Sequence, residues 1–343
     1  MKKIWLCLVL CVFIIGATGC SKDPERTGKM GPELSCSRID VHLDLKKGET
    51  AELVSCDENS MLFSIARGAK YWRHTEQYVL YNIKEGKIEK HFPMEKERSS
   101  WDAISDGRGI YYCTYKVGDP PQGEWRLEYM SEGKRQIIDS GYGNVNNPMF
   151  MFYLDDSLYY TYADETDGRE WGVRHIEHGK PAAVLSEKSS GLEFAGSSDD
   201  EYYLLTGGGE LLICDGTGVR SRHEIDTEDA YAIDSFGEDR LLCLLGEEDD
   251  AKLTVINMKT GKEAASDVTL RTFPVAAFGQ NLLCADDDNR QYYIQADDVG
   301  HVKRLELPNQ MDCKLSGARR MGSGAGWAIV RTDDGEFYLL EQR

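Results

Sequence analysis

Residues 101–139 read WDAISDGRGIYYCTYKVGDPPQGEWRLEYMSEGKRQIID, and this stretch decides the fold. It contains four short runs rich in aromatic and aliphatic residues, separated by turns such as Asp106-Gly107 and Glu132-Gly133. Such runs predict strands, and glycine at the turns supplies the positive φ that a tight hairpin needs. A four-stranded repeat of this length is typical of a propeller blade, so we predict an all-β β-propeller.

Weaker copies of this unit fill the rest of the chain. The second strand of the unit recurs at intervals of 39 to 49 residues, and a third strand follows each copy. The seven copies of the second strand start at Leu62, Tyr111, Tyr159, Tyr202, Leu241, Leu282 and Trp327. The pattern predicts seven four-stranded blades, with six and eight as open alternatives.

The two ends of the chain complement each other. The seventh unit reaches Arg343 without a fourth strand, and a spare strand, Arg38 to Leu45, precedes the first unit. We expect these ends to pair, so that the N-terminal strand closes the last blade and hides two sheet edges. No linker interrupts the array, which predicts one propeller domain over residues 38–343.

The first twenty residues resemble a bacterial lipoprotein signal. Lys2 and Lys3 precede a dozen apolar residues, which is too short a run to span a bilayer, and the segment ends in Ala17-Thr18-Gly19-Cys20. This ending resembles a lipobox, which implies a signal peptide over 1–19 and a diacylated Cys20 (a diacylglyceryl and palmitate-type anchor). The alternative is an ordinary signal peptide with a chance cysteine. Residues 20–37 are polar and predict a flexible tether. The expected location is therefore the outer surface of the cell membrane.

The repeats themselves resemble the propeller-type lipoproteins of Gram-positive bacteria. The likeness lies in Ile110-Tyr111-Tyr112 and Leu158-Tyr159-Tyr160, each followed by another strand and a glycine turn. It covers most of the chain after Cys20 and implies no catalytic residues, because that family carries none to transfer.

Charge and motifs exclude several functions. The formal charge is −19, and removal of Lys2 and Lys3 with the signal takes it to −21, so nucleic acid is not expected as a partner. No HExxH, GxSxG or P-loop pattern occurs, and we predict no cofactor and no metal site. The seven cysteines after Cys20 cannot all pair within one chain, and a bridge from Cys36 to Cys56 or to Cys313 stays open.

Candidate binding residues lie between the second and third strands of the units, where loops of about four to a dozen residues are expected on one face. One loop is basic and aromatic, and several others are acidic. The candidates are Tyr71, Trp72, Arg73, Asp164, Asp167, Asp249, Asp250, Asp287, Asp288 and Asp333. Such side chains suit a binding site on a rigid scaffold. The acidic loops also fit a purely solubilising role, and the aromatic loop also fits a plug of the central channel.

We interpret the chain as a monomeric, membrane-anchored module that binds a protein, peptide or glycan. One alternative is a glycoside hydrolase or lyase with carboxylates at the channel mouth, and another is a scaffold in an envelope assembly. An enzyme would need carboxylates that converge in one axial pocket.

The lipid anchor is directly testable. Cys20→Ala should move nearly all of the protein from the membrane fraction to the soluble fraction, because two acyl chains supply the stable attachment. Cell fractionation and immunoblotting measure the distribution. Cys11→Ala, inside the signal, is the matched control and should leave the protein in the membrane. A Cys20→Ala protein that stays in the membrane would rule out the anchor.

Overall fold

The computed structural model describes sixteen segments of the chain. They are residues 26–68, 74–116, 122–144, 149–164, 170–187, 192–197, 201–224, 230–235, 240–245, 251–257, 262–270, 274–278, 281–286, 288–296, 302–324 and 326–343. The regular secondary structure of these segments is β-strand throughout. Across them, no helix has the length and apolar character to cross a membrane.

The described segments contain twenty-nine strands, and most of them pair with strands next to them in the sequence. The chain starts with β1 (Arg26–Met30) and β2 (Leu34–Ile39), which join sheets formed mainly by the end of the chain. The first five consecutive sheets are β3 (Glu49–Cys56), β4 (Ser60–Arg67), β5 (His74–Asn82), β6 (Lys87–Pro93); β7 (Arg98–Ser105), β8 (Gly109–Lys116), β9 (Gln122–Ser131), β10 (Lys134–Asn144); β11 (Met151–Leu154), β12 (Ser157–Asp164), β13 (Glu170–Glu177), β14 (Lys180–Glu187); β15 (Leu192–Ser197), β16 (Tyr202–Thr206), β17 (Glu210–Asp215), β18 (Gly218–Glu224); and β19 (Ala230–Ser235), β20 (Arg240–Leu245), β21 (Ala251–Asn257), β22 (Lys262–Leu270).

The last two sheets take in the N-terminal strands. One contains β23 (Pro274–Phe278), β24 (Asn281–Ala285), β25 (Gln291–Ala296) and β26 (Val302–Glu306), with β1 added parallel to β26. The other, which we call the closing sheet, contains β27 (Arg319–Gly324), β28 (Trp327–Arg331) and β29 (Phe337–Gln342), with β2 as its fourth strand.

The prediction of seven four-stranded blades is therefore wrong. Among the described residues, six sheets have four strands, and the sheet of β23–β26 has a fifth strand, β1. The extra strand comes from residues predicted to be a flexible tether. The sequence did not predict β1 because its residues are polar. A strand at a sheet edge is held by backbone hydrogen bonds and needs no apolar face.

Closure by the N-terminal strand is confirmed in part. The closing strand is β2, which pairs antiparallel with β29 from Leu34↔Gln342 to Ile39↔Phe337. The predicted strand, Arg38 to Leu45, overlaps β2 at only two residues, and the expected boundary at residue 38 is too late. The closing strand lies earlier in the sequence than predicted because its pairing register puts Leu34 and Ile39 into the core. Residues 44 and 45 are left in solvent.

The sheets follow one another around a ring. First strands of successive sheets contact one another from β3 to β19, and again from β23 through β27 back to β3. Apolar clusters fill the space between neighbouring sheets, so the middle strands are buried on both faces. Residues 61–66 of β4 and all of β16 are buried, whereas outer strand β18 has no buried residue. The protein is thus an all-β β-propeller, and the Tyr-Tyr pairs mark its doubly covered strands.

The N-terminal segment is fitted closely to the sheets that it joins. The Gly31 amide donates to the Glu306 carbonyl oxygen at 3.2 Å, and the Tyr293 hydroxyl donates to the Pro32 carbonyl oxygen at 3.1 Å. A Cβ on Gly31 would lie 2.2 Å from the Tyr293 ring, so only glycine fits there without movement. The Arg343 amide donates to the Glu33 carbonyl oxygen at 3.0 Å, which joins the two ends of the chain.

The contribution of the closing strand to stability is measurable. Leu34 is 7% exposed, and Leu34→Ala should lower the free energy of unfolding by about 2–4 kcal/mol, because it leaves a cavity between the closing sheet and its neighbour. Leu45, six residues beyond the end of β2, is 43% exposed. Leu45→Ala is the control and should change the free energy of unfolding by less than about 0.5 kcal/mol. Urea denaturation measures both. Equal effects would show that β2 is not part of the cooperative fold.

Candidate functional site

The strand order places the candidate loops on one face. In an antiparallel meander, the loops between second and third strands share a face with the connections between sheets; we call this the loop face. Asp164 ends β12, Asp288 lies between β24 and β25, and Asp333 lies between β28 and β29. Seven of the candidate binding residues and the anchor cysteine lie outside the described residues: Tyr71, Trp72, Arg73, Asp167, Asp249, Asp250, Asp287 and Cys20.

The loop lengths differ from expectation. Second and third strands are separated by only three to six residues, because the strands extend into the expected loops. Two connections between sheets are longer, residues 40–48 with nine residues and residues 307–318 with twelve. Both flank the closing sheet, so the irregular part of the loop face is concentrated there.

Connection 307–318 is fixed by side chains from the preceding loop. The Asn289 side chain donates to the Cys313 carbonyl oxygen at 2.9 Å and accepts from the Leu315 amide at 2.6 Å. The Gln310 side chain accepts a hydrogen bond from the Gln291 main-chain amide at 2.9 Å and donates one to the Gln291 carbonyl oxygen at 2.8 Å. Asn289 has φ +62°, which asparagine tolerates better than most residues. The connection is therefore long but firmly held.

Connection 40–48 is fixed at both ends. The Tyr81 hydroxyl donates to the Asp40 carbonyl oxygen at 2.6 Å, and the Glu49 carboxylate accepts from the Lys46 amide at 2.7 Å. This hydrogen bond, together with Arg67, lowers the pKa of Glu49. Val41 and Leu43 pack against the core. The remaining side chains of the segment face solvent: His42, Asp44, Leu45, Lys46 and Lys47.

The acidic candidates that the structure describes differ in their contacts. The exposed Asp288 carboxylate lies 3.6 Å from the Arg290 guanidinium. The Asp333 carboxylate lies against connection 307–318, because a Cβ built on Gly317 would be 2.2 Å from its Oδ2 atom. The neighbouring Asp334 accepts a hydrogen bond from the Thr332 hydroxyl, which lowers the pKa of Asp334. Residues 332–336 thus form a compact turn beside the longer connection.

These three segments make up the candidate site. We call residues 40–48, 307–318 and 332–336 the closing-sheet site. A groove of about 330 Å³ lies beside it, between the end of β2 and the turn after β5, and its lining includes Arg38, Asp40, Tyr81 and Lys84. The Arg38 guanidinium pairs with Asp40 at 3.0 Å and with Glu336 at 2.7 Å. The site combines an exposed apolar side chain, Leu45, with charges of both signs, which is typical of protein contact surfaces.

Two polar side chains of distant sheets form a second polar region. Arg320 on β27 is charge-coupled to the Tyr203 hydroxyl on β16, although their sheets are not neighbours in the ring. The interaction therefore crosses the ring. Burial lowers the pKa of Arg320, and the Tyr203 hydroxyl and the Cys56 thiol act against that shift. Gly196 leaves room for the Tyr203 ring, because a Cβ there would lie 2.5 Å from the hydroxyl oxygen.

Asp102 on β7 is the unusual acid of the described chain. Burial raises the pKa of Asp102 to about 7, and a hydrogen bond from the Ala103 amide only partly opposes the shift. Its electrostatic neighbours include Tyr78 and Cys113. A group with this pKa could act as a general acid or base near neutral pH. Two-carboxylate hydrolysis needs a second acid beside such a group.

Another buried carboxylate, Glu128 on β9, has a structural role. It accepts hydrogen bonds from the Tyr112 hydroxyl at 3.0 Å and the Thr114 hydroxyl at 2.8 Å. The guanidinium groups of Arg98 and Arg135 lie at 3.9 Å and 3.4 Å. Arg135 also donates to the Pro93 carbonyl oxygen of the preceding sheet at 3.0 Å, so the network ties the first two sheets together.

Sequence reasoning missed the polar residues of the channel and the strands. Asp102 and Glu128 are charged residues inside apolar strand runs, which is the signal that could have found them, whereas Arg320 lies in the run RRMGSG and carries no such signal. It also missed the closing-sheet site, because an unusually long connection shows only when strand ends are known. Among the described residues, no group of three or more His, Cys, Asp or Glu side chains is arranged to hold a metal ion.

Comparisons with known proteins show the fold alone. No protein-family model matches the chain, and no curated protein matches it. The structure of BamB from Moraxella catarrhalis is similar with a TM-score of 0.51 at 13% identity, over 85% of each chain. A chain of the mitotic checkpoint complex has a TM-score of 0.53 at 10% identity, over 94% of this chain and 98% of that one. A prolyl endopeptidase has a TM-score of 0.53 at 14% identity, over 84% of this chain but only 46% of the enzyme.

The pKa of Asp102 predicts a pH effect. In the unfolded chain this group loses its proton near 3.8, and in the folded protein near 7, so folding takes up a proton between these values. Stability should therefore fall as pH rises through this window, by at most ~1.4 kcal/mol per pH unit. Asp102→Asn, which mimics the protonated acid, should remove this component, so the variant gains on the wild type from about pH 4.5 to about pH 7.5.

Guanidinium denaturation at both pH values tests this effect. Asp44→Asn is the matched control, because Asp44 is exposed in connection 40–48. A wild type and an Asp102→Asn variant whose stabilities change in parallel with pH would show that Asp102 titrates normally.

Proposed function

We propose that the protein is a lipid-anchored, extracytoplasmic interaction module that binds a protein partner at the closing-sheet site. One observation carries the proposal: the two longest connections between described strands flank the same sheet, and side-chain hydrogen bonds hold both in place. Binding residues usually lie on loops that a rigid scaffold positions. A loop that is already firmly held loses little conformational entropy when a partner binds.

The anchor and the location rest on the sequence. The run from Met1 to Cys20 resembles a lipoprotein signal, and the polar residues that follow leave a short spacer before β1. A propeller that is lipid-anchored in this way is suited to recruit a partner to the membrane surface. The strand pairs of β1 and β2 connect that spacer to the ring itself.

The chemistry of the site favours a protein or peptide over a glycan. Leu45 supplies an exposed apolar contact, and Lys46, Lys47 and Asp44 surround it with charges. The propeller fold is also used within a multiprotein complex, since a chain of the mitotic checkpoint complex shares it. A scaffold role in an envelope assembly would use the same surface.

An enzyme is the second candidate, and Asp102 is the observation that favours it. Its pKa of about 7 suits proton transfer near neutral pH. The electrostatic neighbours found for it, Tyr78 and Cys113, are both buried in the core, which leaves little room for substrate beside the carboxyl. We therefore favour the binding module.

The site is tested by charge substitution of its apolar residue. Leu45→Asp should abolish recovery of the specific partner in crosslinking pull-downs from intact cells, because it places an uncompensated charge in the contact. Ile137→Asp is the matched control: Ile137 is 52% exposed on outer strand β10, away from the loop face, and its substitution should leave the partner bound.

A third variant tests the loop predicted from the sequence. If Tyr71→Ala with Trp72→Ala removes the partner and Leu45→Asp does not, binding lies at the first sheet and the closing-sheet site is wrong. If no protein is recovered with the wild type, a glycan array tests for glycan binding, and a hydrolase screen of the wild type against Asp102→Asn tests for an enzyme.

A further inference from the structure

Two cysteines from distant parts of the chain lie together at the closing sheet. Cys36 is in β2, and Cys313 is in connection 307–318, which is 277 residues later. Both belong to one apolar cluster with Leu34, Leu315 and Leu340. The Cys313 side chain raises the pKa of the Cys36 thiol, which places the two thiols side by side within this cluster. The two sulfur atoms are therefore neighbours in the folded protein.

The backbone around each cysteine is held by its own hydrogen bonds. Cys36 pairs with Leu340 in the ladder between β2 and β29. The Cys313 carbonyl oxygen accepts hydrogen bonds from the side chains of Asn289 at 2.9 Å and Gln291 at 3.0 Å. Tyr338, on the same face of the closing sheet, interacts electrostatically with both thiols. The fold thus brings the thiols together without depending on any bond between them.

The other described cysteines are placed differently. Cys113, Cys214 and Cys284 are buried in three different sheets, where they fill space as small apolar residues. Cys56 packs against Gly322 at the channel, because a Cβ on that glycine would lie 2.5 Å from its sulfur. Of the two bridges that the sequence leaves open, the structure favours Cys36 with Cys313.

We propose that Cys36 and Cys313 form a disulfide that locks the N-terminal strand to the ring. The oxidant is a disulfide, either of a protein oxidoreductase or of oxidised glutathione. One cysteine thiolate attacks it and releases a thiol, which leaves a mixed disulfide. The second cysteine then loses its proton and displaces the other thiol. The balance is two protein thiols and one disulfide giving one protein disulfide and two thiols.

The physical setting determines when the bond forms. The hydrogen bond with Cys313 and burial raise the pKa of Cys36, so little thiolate is present at neutral pH. Exchange in the folded protein is therefore slow and becomes faster as pH rises, whereas it is fast while the chain folds. Disulfides persist outside the cytoplasm, which agrees with the proposed location but does not depend on the binding function.

The bond would hold β2, the strand through which the proposed lipid anchor would pull on the closing sheet. β2 is the outermost strand of the closing sheet and has a partner strand on one side only. Force on the spacer before β1 would peel β1 from β26 and β2 from β29. A covalent link from Cys36 to Cys313 joins β2 to the connection that leaves the neighbouring sheet, so the ring cannot open from its N-terminal end.

Peptide mapping tests the pairing. The full chain is treated with oxidised glutathione at mildly alkaline pH, alkylated with N-ethylmaleimide in denaturant, and digested with trypsin before and after reduction. We expect one reducible species that links peptide 30–38, MGPELSCSR, to peptide 305–314, LELPNQMDCK. A species that links 30–38 to 48–67, the peptide of Cys56, would overturn the assignment. So would complete alkylation of both peptides without reduction.

Thermal unfolding provides a second measurement. The oxidised wild type should unfold about 5 °C or more above its reduced form, because the bond closes a very long loop. Cys36→Ser and Cys313→Ser should each lose this reductant-dependent shift. Cys284→Ser is the matched control, and its shift should persist even if its overall stability falls. A shift that survives in Cys36→Ser would contradict the proposal.

Discussion

The pairing of β2 with β29 is the interaction on which the rest of the structure depends. A ring of sheets is closed only when its last sheet is completed, and here the two ends of the chain complete it through a ladder from Leu34↔Gln342 to Ile39↔Phe337. Each sheet buries its faces against its neighbours, so opening the ring at one place exposes two apolar faces at once. β1 reinforces the closure from the adjoining sheet, where it pairs with β26. Closure thus links residues that are about three hundred positions apart, which makes the fold dependent on contacts that form late and cost much chain entropy.

Two buried acids of the second sheet are tolerated for different physical reasons. Glu128 is bound by two hydroxyls and lies near two guanidinium groups, and so it remains compatible with burial. Among the described residues, no cation contributes to the pKa of Asp102, and burial raises the pKa of its carboxyl to about 7. One sheet therefore contains an acid that ties sheets together and another whose charge depends on pH. A contribution to stability explains the buried Glu128 but not the buried Asp102.

The closing sheet is also where the loop face departs from regularity. Elsewhere the chain turns between second and third strands within a few residues, but connections 40–48 and 307–318 are long because they must lead the chain into and out of the sheet that joins both termini. Closure, the proposed binding surface and the cysteine pair therefore lie in one region of the molecule. Among the described connections, the two longest lie at this seam of the ring.

The sequence by itself determined the strands and their order. Periodic apolar runs with glycine turns located the second and third strand of every sheet, because local propensity and turn chemistry specify them without long-range contacts. It also indicated that the N-terminus closes the ring. Only the tertiary structure decided that β2 begins at Leu34, that residues 26–30 add a fifth strand, and that Cys36 meets Cys313 rather than Cys56. These features depend on which backbone groups and side chains face each other across the ring. A pairing register, an edge strand and a contact over 277 residues leave no periodic mark in a sequence.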